Sequence, residues 1–193
     1  AAGPTRGFDC GPANALMDHW CLRHTGAAYD ADGAWAASGQ VLSPLLTELL
    51  SEPYFQRLPP KSTGRDLFHP EWLDRHLAAV APGAEAADVQ ATLAELTART
   101  CADALMRHAA NSDTLLVCGG GAFNSHLLRR LAALLPSVAV QTTDARGLPV
   151  MQVEAAAFAW LARACVHRTT ANLHASLTPT PARRAQQAPS LRA

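Results

Sequence analysis

Lysine is almost missing from this chain. Lys61 is the sole lysine among 16 basic residues, so arginine carries nearly all the positive charge, balanced by 16 acidic residues. A formal charge of zero argues against a general nucleic-acid surface, which needs a basic stripe or patch. A small anionic ligand at a local site stays open. Long apolar runs are missing as well. No stretch approaches the roughly 20 residues of a membrane-spanning helix, and no signal peptide is visible. Cysteine is sparse and irregular. Cys10, Cys21, Cys101, Cys118 and Cys165 include no C-x-x-C pair, which excludes zinc spacing, and an odd, unpatterned set suits a reducing compartment. Cys101 and Cys118 read as small buried apolar residues. Two phosphate motifs are absent. The dinucleotide fingerprint needs a glycine where this chain has Asn124, and the P-loop needs a glycine where Pro60 precedes Lys61-Ser62-Thr63. No internal repeat is evident.

What remains in 193 residues is enough apolar content for one domain or one large lobe. The chain is organised around Leu115-Leu116-Val117-Cys118-Gly119-Gly120-Gly121-Ala122-Phe123-Asn124. A short apolar run between polar stops predicts a strand buried on both faces. Glycines without Cβ let a ligand lie against backbone, and a helix from Ser125 to Leu135 would offer unpaired N–H groups and a positive dipole end to phosphate. A strand-to-helix turn with no ligand is the plainer alternative.

In chain order, Gly11-Pro12 marks a turn, and Leu16, Met17 and Trp20 give a helical stripe with Pro12 near the first helical position. Asp9 therefore stands after an expected short strand and just before a helix. It is either a turn or capping carboxylate or a general base at a cleft rim. Asn14 and Asp18 share one helix face, most simply turned to solvent. Tyr29 to Gly33 reads as a turn, Trp35 as the start of a short helix, and Ser43-Pro44 as the cap and first position of another. Gln56 to Arg65 reads as an extended loop, solvated or touching a phosphate or partner. Pro70 to Val80 is helical. Asp88 to Ala110 is the longest helix, with Val89, Leu93, Leu96, Thr100 and Ala104 on a face packed against a sheet and Thr92, Glu95 and Arg99 on the other. Val138 to Gln141 is a second strand, with Thr142-Thr143-Asp144 at its end, where ligand sites gather in open α/β sheets. Glu154 begins an apolar helix, Val153 to Val166, and either favours the dipole or points into a site. A flexible tail is expected over 169–193.

Five of these stretches together resemble one family. They are Gly-Phe-Asp-Cys-Gly-Pro-Ala-Asn-Ala-Leu-Met-Asp (7–18), Pro-Pro-Lys-Ser-Thr-Gly-Arg (59–65), Asp-Val-Gln-Ala-Thr-Leu-Ala-Glu-Leu-Thr-Ala (88–98), Val-Cys-Gly-Gly-Gly-Ala-Phe-Asn (117–124) and Val-Glu-Ala-Ala-Ala-Phe-Ala-Trp-Leu-Ala (153–162). In order and spacing they are similar to anhydro-N-acetylmuramic acid kinases. The resemblance implies an α/β fold: the second lobe of an actin/hexokinase-like (ribonuclease H-like) sugar kinase, helix-rich around a small sheet, over 1–168. It implies an enzyme that uses ATP, with Mg²⁺, on 1,6-anhydro-N-acetylmuramic acid. Such an enzyme opens the anhydro bridge and phosphorylates the freed 6-oxygen during cell-wall recycling in the bacterial cytoplasm. Asp9 matches the catalytic aspartate that activates the attacking water. Asn14 lies near the sugar by neighbourhood, Glu154 matches a glutamate near the sugar, and Gly119, Gly120 and Gly121 match the nucleotide loop.

Three departures accompany the match, one being the chain after about Arg168, which departs from the family's ending. The family's first-lobe phosphate loop and its Gly-Gly-Ile-Ala-Asn-like loop have no counterpart here, and Cys10 stands where Thr is usual. The expectation is a lobe that does not turn over alone, whose uncovered apolar face favours a homodimer. The alternative is a non-catalytic nucleotide- or partner-binding module of the same fold. Neither nucleic acid nor membrane is an expected partner.

Overall fold

The computed structural model describes residues 6–171. Among them run α1 (Ala15–Thr25), α2 (Ala34–Ser38), α3 (Ser43–Leu50), α4 (Pro70–Val80), α5 (Ala86–His108), β1 (Thr114–Val117), α6 (Ser125–Leu134), β2 (Ala139–Thr142) and α7 (Val153–Val166). The expected tail over 169–193 lies outside the described residues from 172 onward.

Helix α5 is the centre. Its Val89, Leu93 and Leu96 step by three and four, as expected of a buried face. The expectation of a helix packed against a sheet is corrected. Helices α1, α2, α3 and α6 all pack on α5, so Thr92 and Glu95 are buried too. Both are satisfied there. The Thr92 hydroxyl donates to the Asp88 carbonyl at 2.7 Å and accepts from the Leu42 N–H at 2.9 Å. Glu95 is held by arginines, as described below. The larger core gathers Leu16, Trp20, Leu45, Leu49, Trp72 and Leu93. Each such side chain contributes about 1.5–3 kcal/mol by leaving water. A smaller core joins Ala98 of α5 to Leu127 and Leu131 of α6, with Leu115, Val117 and Val140 from the strands.

The strands form a parallel pair in register Thr114↔Ala139 to Val117↔Thr142. Parallel neighbours need a crossover, and α6 provides it. The pair is not buried on both faces: Leu115 and Val117 face the α6 core, while Leu116 on the other side is 40% exposed. Cys118 is exposed as well, and Cys101 is half-buried, so neither is the fully buried apolar residue expected.

Among the described residues no strand precedes Asp9. That segment bonds instead to the loop after α3, with the Asp9 N–H on the Lys61 carbonyl at 3.3 Å. Helix α1 starts later than Pro12 suggests, because Ala13 takes a left-handed conformation, φ 48°, and breaks the path. Asn14 becomes the N-cap. At α3, Leu42 rather than Ser43 occupies the cap position, and Ser43 is the first helical residue. Helix α4 begins as expected at Pro70, capped by the His69 ring, which accepts from the Trp72 N–H at 3.2 Å. Helix α7 lies largely open: Phe158 and Trp160 are exposed, and among its residues only Ala164 is buried.

Candidate functional site

A cavity of about 370 Å³ opens beside the glycine turn. Gly119 has φ 71° and ψ −166°, a combination that only glycine adopts without strain. It swings the chain from β1 into a single 3₁₀ turn, Gly120–Phe123, before α6 begins. The Asn14 carboxamide faces this turn. Cβ atoms built on Gly120 and Gly121 would stand 3.6 Å from its Nδ2 and Oδ1. Asn14 and Asp18 thus turn toward the cavity, not toward bulk solvent. The reason is that α1 lays its polar edge against the glycine turn while Leu16 and Trp20 enter the core.

The rim is acidic. Asp18, Asp30 and Asp32 line the cavity, and Met17, Tyr29, Phe123 and Met151 supply apolar wall. Burial pushes the Asp18 carboxyl up from its ordinary range. The Asp30 carboxylate accepts from the backbone N–H groups of Trp35 and Ala36 at 2.9 and 2.8 Å, which fixes the start of α2. Asp32 accepts from the Ser125 N–H at 3.2 Å, and the Ser125 side chain first, then that backbone bond, hold its carboxyl below the usual range. The Asn124 side chain accepts from the Leu127 N–H at 2.9 Å. The expectation of an open α6 N-terminus for phosphate is therefore corrected. A carboxylate and a carboxamide already occupy donors there, and three carboxylates repel an anion. The cavity suits the hydroxyl- and amine-bearing end of a ligand, with apolar side chains flanking a flat ring.

Asp9 is exposed. The Ser62 hydroxyl donates to its Oδ2 at 2.7 Å, and the Thr63 N–H donates to the same oxygen at 3.0 Å. Oδ1 accepts no hydrogen bond among the described residues. The backbone is held too: the Tyr54 hydroxyl donates to the Asp9 carbonyl at 2.7 Å. Burial, with the Asp9 and Cys10 charges, pushes the Tyr54 phenol up to about 12, so it stays a donor at neutral pH. Lys61 turns back to the Tyr54 and Phe55 carbonyls at 3.2 and 3.4 Å, bracing the same loop. Thr63 also buries a hydroxyl without a partner beside this site.

Asp9 does not line the cavity that holds Gly120. It lines another of about 320 Å³, with Gly11, Thr63 and Arg65. Residues 9–18 border both cavities. Asn14 is thus brought to the glycines, whereas Asp9 opens on the opposite side of the same segment. Glu154 is exposed on α7 and lines neither. Among the described residues no three His, Cys, Asp or Glu side chains are grouped to hold a metal, and no helix is long and apolar enough to cross a membrane.

Several contributors escape sequence reasoning. Ser62 and Thr63 sit in a loop whose prolines and glycine explain it without a site. A hydroxyl pair inside such a loop was the available signal. Asp30 and Asp32 sit in a turn that acidic residues favour anyway. Thr97 buries its hydroxyl on the Ala13 carbonyl at 2.9 Å and so anchors the approach to Asn14.

The sequence is similar to those of known proteins. The family model described as anhydro-N-acetylmuramic acid kinase matches residues 2–188. A protein of that name from Variovorax paradoxus (strain S110) is 60% identical over 172 residues, 89% of this chain and 45% of the relative. One from Albidiferax ferrireducens is 61% identical over 170 residues, 86% of this chain and 43% of the relative. One from Bordetella pertussis is 56% identical over 172 residues, 88% of this chain and 45% of the relative. The chain spans somewhat under half the length of these curated relatives. The helix-rich body, its small parallel sheet and the family match together place this chain in the anhydro-N-acetylmuramic acid kinase family, with its sugar-kinase, actin-like fold.

Proposed function

We propose that this chain is the C-terminal lobe of an ATP-dependent kinase acting on 1,6-anhydro-N-acetylmuramic acid, in the recycling of peptidoglycan in the cytoplasm. The observation that carries the reading is the glycine turn, packed against the Asn14 carboxamide at the wall of an acid-rimmed cavity, in a chain of this family. Gly120, set in the turn by Gly119 and Gly121, forms the floor for the nucleoside end of ATP. The carboxylates bond ribose hydroxyls or the base amine, and the triphosphate leaves the cavity away from them. Asn14 lies between this floor and the sugar.

Asp9 acts as general base. Its Oδ2 is fixed by Ser62 and Thr63, which leaves Oδ1 to take a proton from water as the water oxygen attacks the anomeric carbon. The bond from that carbon to the bridge oxygen breaks, and the bridge oxygen accepts the γ-phosphoryl group while ADP departs. Positioning and charge stabilisation do most of the work in such a transfer. Glu154, exposed here, contacts the sugar only when the rest of the kinase closes against α7. Mg²⁺ accompanies the phosphates of ATP. The described carboxylates do not form a cage for it.

The test joins this chain to a first lobe and compares it with Asp9→Asn. Turnover falls by about 10²–10⁴ with nucleotide affinity unchanged; near-normal turnover overturns the assignment of the base. The isolated chain binds an adenine nucleotide, measured by calorimetry, without forming the 6-phosphate sugar. Formation of that product by the chain alone overturns the half-site reading.

A further inference from the structure

Cys10 and Cys101 are 91 positions apart, yet their Sγ atoms face each other at 3.5 Å. One follows Asp9; the other stands on α5, one residue after Thr100. Both are half-buried. Cys10 lines a cavity of about 140 Å³ together with Lys61, Asp103, Arg107 and His108, and it also borders the cavity that holds Asp9. Small reagents can therefore reach its sulfur. We propose that Cys10 is a site of oxidation by hydroperoxides, and that Cys101 resolves it to a reversible disulfide tying the Asp9 segment to α5.

The chemistry balances with hydrogen peroxide as the oxidant. The Cys10 thiolate attacks one peroxide oxygen and the O–O bond breaks; Cys10 becomes a sulfenic acid, and the hydroxide that leaves takes up the proton the thiol had released, giving water. The Cys101 sulfur then attacks Cys10 Sγ, the S–O bond breaks, and a second water leaves with the Cys101 proton. Two thiols are oxidised by two electrons, and one peroxide is reduced to two waters. Closing the 3.5 Å gap to a bond of about 2.05 Å needs the two sulfurs to approach by about 1.5 Å.

The surroundings favour Cys10 as the thiol attacked first. The hydrogen bond from Cys101 is the main cause that brings the Cys10 thiol down to about 7; burial and the Asp9 charge oppose it, and Lys61 assists. Cys101 is pushed far up, because its proton is shared with Cys10 and because it is buried. Of the other thiols, Cys21 is buried, while Cys118 and Cys165 are exposed and touch no second thiol among the described residues. No further ligand completes a metal site around the pair among the described residues. The proposal does not rest on the kinase reading, because its readouts are those of thiol chemistry.

The test treats the full chain with hydrogen peroxide at pH 7, blocks free thiols and digests with trypsin without reductant. The expected product links peptide 7–23 to peptide 100–107, with two of the five thiols lost and both restored by dithiothreitol. Because peptide 7–23 also holds Cys21, a Cys21→Ser background assigns the bond to Cys10. In Cys101→Ser, Cys10 is trapped as a sulfenic acid that dimedone labels. Oxidation of Cys118 or Cys165 with Cys10 still free, or no 7–23/100–107 product, overturns the proposal.

Discussion

Removing the Arg130 guanidinium, by Arg130→Ala, is expected to loosen the glycine-turn unit from the body of the protein. Glu95 stands on α5 with its side chain 2% exposed. Arg130 of α6 donates to it through Nε at 2.7 Å and through a terminal nitrogen at 3.2 Å, and Arg99 donates through Nε at 2.8 Å. Breaking a buried ion pair costs about 3–5 kcal/mol, because the remaining charge is left without its partner. Here Arg99 remains, and Arg130 is 37% exposed, so water can partly replace it. The expected loss is about 2–3 kcal/mol, or a fall of about 5–10 °C in melting temperature for a chain of this size. Burial alone would raise the Glu95 carboxyl, but the two arginines outweigh it and hold the carboxyl below the usual range. A carboxylate so depressed stabilises the fold above its unfolded value of about 4.3 and loses that contribution as pH falls through the folded value. The cost of Arg130→Ala is therefore complete at pH 7 and shrinks below about pH 4. Urea unfolding followed by circular dichroism at pH 7 and pH 3 measures both numbers. A cost under about 0.5 kcal/mol at pH 7, or one undiminished at pH 3, refutes the reasoning.

Three further outcomes follow from close contacts. Gly33 sits at φ 68°, and a Cβ there would run into the Asn124 amide and the His126 Cβ; Gly33→Ala is expected to destabilise by at least about 2 kcal/mol in thermal unfolding. Gly120 has room for a methyl group but not for a branched side chain beside Asn14. Gly120→Leu should weaken adenine-nucleotide binding at least about tenfold by calorimetry while Gly120→Ala changes stability little. Thr97→Val removes the bond to the Ala13 carbonyl, and is expected to cost about 1 kcal/mol in urea unfolding.

The sequence disclosed α4, α5, α6 and α7 almost to the residue, because apolar spacing, Pro70 and the glycine run are local signals. It disclosed less where a distant partner decides. Glu95 occupies a polar face by spacing, and only the arrival of α6 with Arg130 makes that face interior. Asn14 and Asp18 have the pattern of a solvated edge, and only the glycine turn laid beside them makes that edge a wall. Pro12 is a good helix starter, yet the left-handed Ala13, held by Thr97, moves the start to Ala15. For the candidate site, Gly119 to Gly121 and Asp9 were legible as residues. Ser62 and Thr63, whose partner is 53 positions away or more, were not.

The stretch from Glu95 to Cys101 on α5 serves both banks of the molecule. Glu95 and Ala98 receive α6 on one side; Thr97, Thr100 and Cys101 receive residues 10–13 on the other. Like the keel shared by two hulls, it gives the banks a single datum, and a tilt of its axis by a fraction of an ångström must displace both together. Random mutagenesis should therefore yield few alleles in this heptad that injure one bank and spare its neighbour.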